Sequence, residues 1–277
     1  MGVKGGPSIR PGSNMPTSIL LQLGGRNILV DAGLGVTRGL CDAGVSLPSV
    51  ERIFVTHLHS DHYIELGPYF HTAWTTGLKA PVPVHGPEGL STYWTAFCAS
   101  MDFDISLRIE DEGRCSFAPL MDLVPLTPGI IHQEQGLTVR AMRNAHPPIN
   151  ESYALRFETD ESTIVLSGDT AYMPEMVDFA KDADLLVHEV MLIEGARAIS
   201  ARMPNGDERL LKHLLRSHTS AEDVGRIATE ARVSKLALNH FVPDGDPDFP
   251  PSAYEAAVRA TWDGPLEVAK DGLSILL

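Results

Sequence analysis

Residues 56–62 of this 277-residue chain form a cluster, Thr-His-Leu-His-Ser-Asp-His, directly after a short apolar run. The cluster holds four potential metal ligands within six positions: His57, His59, Asp61 and His62. Imidazole and carboxylate groups that are buried together need partners, because an unpaired buried polar group costs several kcal/mol. A divalent cation supplies such a partner, and this donor set suits zinc, iron or manganese. The alternative is a solvated histidine-rich turn, but the apolar run that leads into the cluster favours a metal site.

Three later polar residues extend the candidate metal site. His146 precedes Pro147, Asp169 lies in Ser-Gly-Asp-Thr after an apolar strand, and His240 follows another apolar run. A single histidine at a strand end is ordinarily a surface or core residue. Together with the cluster at 56–62, however, the three residues point to one shared site.

The order of strands and helices indicates how these ligands could meet. Strands are predicted at 18–23, 27–31, 52–56, 81–87, 105–109, 120–126, 137–142, 152–158, 162–167, 184–189, 235–238 and 266–277, and helices at 39–45, 63–79, 87–101, 219–231 and 252–262. The strands come in two series, each mixed with helices and each ending in candidate ligands. The simplest arrangement that joins these ends is an α/β (α+β) fold, an αββα sandwich with one domain over 1–277.

Composition excludes several classes of protein. The chain is 43% hydrophobic and 21% charged, which is typical of a soluble globular protein. No run of about 18 apolar residues and no apolar leader occurs, so we expect no membrane span and a cytoplasmic location. The net charge of −14 disfavours binding to phosphate backbones. Three cysteines at unrelated spacings argue against a disulfide framework.

The motifs together resemble the metallo-β-lactamase superfamily, and within it the branch that contains ribonuclease Z and the arylsulfatase-like hydrolases. The resemblance covers nearly the whole chain and rests on Gly5-Gly-Pro-Ser, Leu29-Val-Asp-Ala-Gly33, the cluster at 56–62, His146, Ser167-Gly-Asp-Thr170, His188-Glu189, His218-Thr219 and His240. One departure is that only four residues precede Gly5, where the family usually has a longer apolar strand.

The resemblance implies two divalent metal ions, Zn²⁺ first, with Mn²⁺ or Fe as alternatives. It assigns His57, His59 and His146 to one metal, and Asp61, His62 and His240 to the other. Asp169 would bridge the two metals together with a hydroxide. Such a pair of cations lowers the pKa of a shared water and clamps the attacking and leaving oxygens.

The resemblance also suggests how protons are handled. Asp61 would act additionally as a general base, and His218 with Glu189 resembles the acid/base pair that protonates the leaving group. The alternative for Glu189 is a plain salt bridge at a strand end. We expect Asp31 to hydrogen-bond a ligand loop and Tyr63 and Phe241 to line an apolar pocket. Five other histidines are assigned to helix or strand surfaces: His71, His85, His132, His188 and His213.

We therefore predict a metal-dependent hydrolase of a small ester substrate, with phosphodiester or sulfate ester favoured. A lactone or carboxylic ester hydrolase is the alternative, and a non-catalytic metal-binding or ligand-binding protein on the same scaffold is the alternative of another class. Only 22 residues separate His146 from Asp169, where tRNA-processing relatives carry a long arm, so tRNA is disfavoured as a substrate. A homodimer is common in the resembling branch.

Overall fold

The computed structural model describes residues 1–203 and 207–277, and its strands form two sheets. The first sheet has the order β1-β2-β3-β4-β5, with β1 at Ile19–Leu23, β2 at Arg26–Val30, β3 at Val50–Phe54, β4 at Val82–Gly86 and β5 at Met121–Pro125. The second has the order β12-β11-β10-β9-β8-β7-β6, with β6 at Gly129–Glu134, β7 at Leu137–Arg143, β8 at Tyr153–Glu158, β9 at Thr163–Leu166, β10 at Leu185–Met191, β11 at Leu236–Val242 and β12 at Leu266–Val268.

Ten α-helices lie among the described residues. They are α1 (Val36–Asp42), α2 (Ser60–Tyr63), α3 (Leu66–Thr75), α4 (Leu90–Ser100), α5 (Asp102–Glu112), α6 (Glu175–Phe179), α7 (Ile193–Ala201), α8 (Arg209–Ser217), α9 (Ala221–Ala231) and α10 (Pro251–Val258). None of them is long and apolar enough to cross a membrane.

Three hydrophobic layers show that the two sheets pack face to face between helices. In β2, Leu29 packs outward against residues of α1 and α3, whereas Ile28 and Val30 pack inward with residues of β7 and β8. This alternation follows from the two-residue period of a strand. A third layer packs α6, α9 and α10 on the outer face of the second sheet. The predicted αββα sandwich is therefore confirmed.

The strand directions bring the motifs to one edge of the sandwich. Strands β2 to β5 are parallel, and so are β9 to β12. The cluster at 56–62 follows β3, and Asp169 follows β9. Because parallel strands end on the same side of a sheet, their carboxyl-end loops meet there.

The predicted strand at 105–109 is wrong, since these residues lie within helix α5. Ion pairs four residues apart join Asp104 to Arg108 and Arg108 to Glu112, and Gly113 ends the helix with a positive φ of 67°. Alternating apolar residues suggested a strand, but helical spacing of charges and a glycine end favour the helix.

Other differences concern the second half of the chain. Only Leu266–Val268 of the predicted strand at 266–277 is a strand, and helices α6, α7 and α8 were not predicted. The predicted helix at 219–231 is confirmed as α9. Ser220 caps it by accepting a hydrogen bond from the Asp223 amide at 3.2 Å, but Asp223 rather than Glu222 contacts the capping hydroxyl.

Candidate metal centre

The structure brings all seven predicted metal ligands together at the edge of the sandwich. Their donor atoms form two groups, each within 4.8 Å: His57, His59, His146 and Asp169 in the first, and Asp61, His62 and His240 in the second. Every residue of both groups is buried except His59, which is partly buried. Their role as metal ligands remains a prediction that this convergence supports.

In the first group, three imidazole nitrogens point at one another. The Nδ1 atom of His59 lies 3.0 Å from Nε2 of His57 and 3.0 Å from Nε2 of His146. The Nδ1–H of His146 donates to the Ser217 carbonyl at 2.9 Å, so the neutral ring directs its Nε2 lone pair into the group. Burial lowers the pKa of His146 to about 4 and that of His57 well below its usual value. These rings are therefore neutral at pH 7, the form that binds a metal.

In the second group, an outer carboxylate orients His62. Its Nδ1–H donates to Oδ2 of Asp31 at 2.7 Å, and the amide of Thr56 donates to Oδ1 of Asp31 at 2.8 Å. The other ring nitrogen of His62, Nε2, is buried and makes no hydrogen bond within the described part of the chain. Asp31 thus holds the ligand residues as expected and turns Nε2 of His62 toward the site.

Asp169 lies between the two groups. Its Oδ2 is 3.0 Å from Nε2 of His240, 3.3 Å from Nε2 of His62 and 3.7 Å from Nε2 of His57. Burial alone would raise the pKa of Asp169, but His240 and His62 hold it well below its usual value. In the same way, burial would lower the pKa of His240, yet Asp169 and Asp61 raise it to about 10. The buried carboxylates Asp61 and Asp169 are stabilised by positive charge beside them, so the donor set fits a pair of divalent cations.

His218 and Glu189 form a hydrogen-bonded pair at the side of the metal groups. Nδ1 of His218 lies 3.1 Å from Oε1 of Glu189. The same oxygen accepts from the amides of Thr170 at 3.0 Å and Thr219 at 3.2 Å. One oxygen of Glu189 is therefore shared by the His218 ring and two backbone amides. This geometry supports the predicted acid/base pair without testing it.

A cavity of about 460 Å³ opens over the metal groups. His59, Asp61, Asp169, His218 and His240 form its floor. The N-terminal segment, which we define as residues 4–8, also lines it. Residues of α7 and α8 and of the loop 243–247 complete the lining. A volume of this size suits a small-molecule ligand.

His213 and Lys4 are among the cavity residues that the sequence reasoning missed. His213 was assigned to a surface, but it lines the cavity, with its ring centroid 5.9 Å from that of His59. Lys4 also lines the cavity. Its only sequence signal was its place directly before Gly5 in a motif of the resembling family.

Four other expectations need correction. His85 and His188 are buried rather than on the surface. Tyr63 packs against Tyr93, and Phe241 packs against Tyr254 in the core beneath the site, so neither aromatic lines the cavity. Tyrosine rings pack against both aromatic side chains, which is why they belong to the packing around the site rather than to the cavity.

Known proteins resemble this chain in both sequence and fold. A ribonuclease Z of Mycobacterium bovis is 30% identical over 257 residues, which cover 92% of this chain and 89% of that protein. The metallo-β-lactamase fold protein YhfI from Bacillus subtilis superposes with a TM-score of 0.71 at 21% identity, covering 98% of this chain and 95% of YhfI. A diphosphatase from the PhnP family superposes with a TM-score of 0.66 at 15% identity, covering 100% of this chain and 95% of the diphosphatase.

The sandwich and its histidine and aspartate cluster define a metallo-β-lactamase-fold hydrolase of the ribonuclease Z-like type. Residues 5–205 match the model of a family described as anti-Pycsar protein Apyc1, and the chain belongs to that family.

Proposed function

We propose that this protein hydrolyses a small phosphodiester, using two divalent cations, Zn²⁺ first. The observation that carries the proposal is the convergence of two donor groups on Asp169 beneath a cavity of about 460 Å³. Imidazole nitrogens with carboxylate oxygens suit zinc, and open hydrolytic sites of this donor type favour it over magnesium or calcium.

The names of the similar proteins favour a phosphate ester over a sulfate ester. A ribonuclease cleaves phosphodiester bonds, and a diphosphatase cleaves a phosphoanhydride. The size of the cavity favours a small molecule over a folded RNA. Hydrolysis of a sulfate ester, a lactone or a carboxylic ester is the alternative that a substrate comparison must separate.

When bound, the cations would supply a hydroxide nucleophile at neutral pH and polarise the phosphoryl group. The chain's own residues would then position the ester and move its protons. Burial favours the neutral acid, but His62 and His240 outweigh that effect and hold the pKa of Asp61 far below its usual value. Asp61 is thus ionised, which is the form that a general base must have before it takes a proton.

His218 would donate the proton that the leaving group needs. The orientation that Glu189 imposes on Nδ1 of His218 leaves Nε2 for the cavity, which His218 lines. From there a protonated ring can donate to the departing alkoxide, while Glu189 stabilises the positive charge. His218 and Glu189 thus act as one unit on the side of the leaving group.

The test is an activity screen of the zinc-loaded protein. We expect faster hydrolysis of bis(4-nitrophenyl) phosphate than of 4-nitrophenyl sulfate, a simple lactone or a precursor tRNA. Asp169→Ala should lose metal and about a hundredfold or more of the activity, because it removes the carboxylate shared by both groups. The exposed Asp263→Ala is the matched control and should retain both. A protein that binds two metals and cleaves the sulfate, lactone or tRNA faster would contradict the proposal.

A further inference from the structure

Lys4 is a buried cation beside the candidate metal centre. It is only 7% exposed, although it lines the cavity over the metal groups. Lysine is seldom buried unless it is paired, because removing its charge from water is costly. Its position therefore calls for an explanation.

Protein groups satisfy only part of the Lys4 ammonium. Its Nζ donates to the carbonyl of Gly5 at 2.6 Å and to that of Gly6 at 3.2 Å. An ammonium has three hydrogens, so one remains for another acceptor. No carboxylate lies within 4.0 Å of Nζ in residues 1–203 and 207–277; the acidic side chains that influence it, Asp244 and Asp61, are farther away.

The backbone around Lys4 holds the ammonium in place. The amide of Lys4 donates to the Met15 carbonyl at 2.9 Å, and the amide of Gly5 donates to the Phe241 carbonyl at 3.2 Å. Gly6 adopts a positive φ of 79°, which turns the chain so that both carbonyls face Nζ. The cation is thus anchored at one wall of the cavity rather than free to leave for solvent.

The same segment contacts a predicted metal ligand. The amide of Gly6 donates to Oδ2 of Asp61 at 2.8 Å. A substrate anion held over Asp61 and the metals would therefore lie next to the wall that carries Lys4. Burial lowers the pKa of Lys4, with Asp244 and Asp61 opposing it; an anion bound alongside would also oppose the effect of burial.

We propose that Lys4 contacts the substrate directly, donating its third ammonium hydrogen to a non-bridging oxygen of the bound phosphate ester. This inference rests on the proposed phosphodiesterase function and adds that the recognised form of the ester is the anion. A neutral ester would leave the buried charge without a counterion. Lys4 thus favours a negatively charged ester, whereas the metals would favour any ester with an oxygen that can bind them.

The experiment replaces Lys4 by Gln and by Met in the zinc-loaded protein. Gln can still donate to a backbone carbonyl but carries no charge, and Met retains only the apolar stem. The exposed Lys79→Gln is the matched control. The probes are inorganic phosphate, titrated by calorimetry, and bis(4-nitrophenyl) phosphate in steady-state assays. Metal content and thermal midpoint are measured for every variant.

We expect Lys4→Gln and Lys4→Met to raise the Kd for phosphate and the KM for the diester about tenfold or more, the effect of losing one charged hydrogen bond. Metal content should stay at the wild-type value, and Lys79→Gln should change nothing. An unchanged Kd and KM would overturn the inference. A weaker affinity for phosphate and the diester that is accompanied by a loss of metal would also overturn it, because Lys4 would then only support Asp61. If the wild type does not cleave the diester, the proposed function fails, and the phosphate titration still decides on Lys4.

Discussion

At the scale of single residues, three of the buried histidines predicted to bind metal have a hydrogen-bonding partner at Nδ1: His57, His62 and His146. Asp31 holds Nδ1 of His62, and the hydroxyl of Thr56 lies 3.2 Å from Nδ1 of His57. The Ser217 carbonyl does the same for His146. Such partners fix which ring nitrogen faces the metal, and their loss commonly lowers metal affinity by about 10- to 100-fold.

The role of His218 can be tested through the leaving group. His218→Ala should keep its metal but lose about 10²- to 10⁴-fold in kcat on a phenyl ester, because phenolate is a poor leaving group that needs a proton. The loss should be much smaller on the corresponding 4-nitrophenyl ester. Steady-state assays on both esters, with metal analysis, provide the measurement.

The variant His71→Ala is the control, since the partly buried His71 pairs with Asp104 away from the site. Equal losses on the two esters would show that His218 does not protonate the leaving group.

At the scale of elements, residues 2–4, which lead into the N-terminal segment, connect the two sheets beside the site. Gly2 pairs with Ser18 just before β1, and Lys4 pairs with Phe241 in β11. The short stretch before Gly5 therefore still takes part in strand pairing. Because it also contacts Asp61, this segment positions part of the second metal group.

Gly5→Ala tests that positioning. A Cβ on Gly5 would lie 2.9 Å from Cε1 and Nδ1 of the His240 ring and 2.9 Å from the Phe241 carbonyl, so the segment or the ring must shift. We expect this variant to lose the zinc ion of the second group, so that about one zinc ion remains per chain. Its thermal midpoint should be several degrees lower, since overpacking costs about 1–3 kcal/mol.

Ser8→Ala, an exposed position in the same segment, should retain two zinc ions and the wild-type midpoint. If Gly5→Ala also retains both, the close approach to His240 is not needed for metal binding.

At the scale of the whole molecule, the candidate metal centre joins the two sheets. His57, His59, Asp61 and His62 follow β3 of the first sheet, whereas His146, Asp169 and His240 come from the second. Bound cations would therefore link the two halves of the sandwich, and metal binding contributes to stability in proportion to its free energy.

Removal of the metal should lower the thermal midpoint by about 5–10 °C at pH 8, and added zinc should restore it. The stabilisation should be smaller at pH 6. Without metal, Asp169 and Asp61 raise the pKa of His240 to about 10 although burial opposes them, so a proton occupies the ring and must be displaced. More protons compete as the pH falls.

Thermal melts with and without chelator at both pH values provide the measurement, and Asp169→Ala should be insensitive to the chelator. A larger effect of zinc at pH 6 than at pH 8 would contradict this coupling between metal and protons.

The sequence determined the candidate metal ligands and most of the fold, because both depend on short-range patterns. Residues 56–62 place four donors in one short stretch, and the apolar runs within 52–56 and 162–167 predict strands that lead into ligands. At 105–109 the alternation of apolar residues predicted a strand, because the ion pairs of Arg108 that favour helix α5 lie partly outside that stretch.

Only the tertiary structure decided which groups share the cavity. Lys4 and His213 are 209 positions apart in the chain, yet they lie on walls of the same cavity. Nothing in the residues around His213 distinguishes a cavity wall from a solvent-facing helix, because α8 is amphipathic either way. The burial of Lys4 likewise depends on its pairing with Phe241, far along the chain. Contacts over such separations are set by how the sheets and helices pack, and that information is not local to any stretch of sequence.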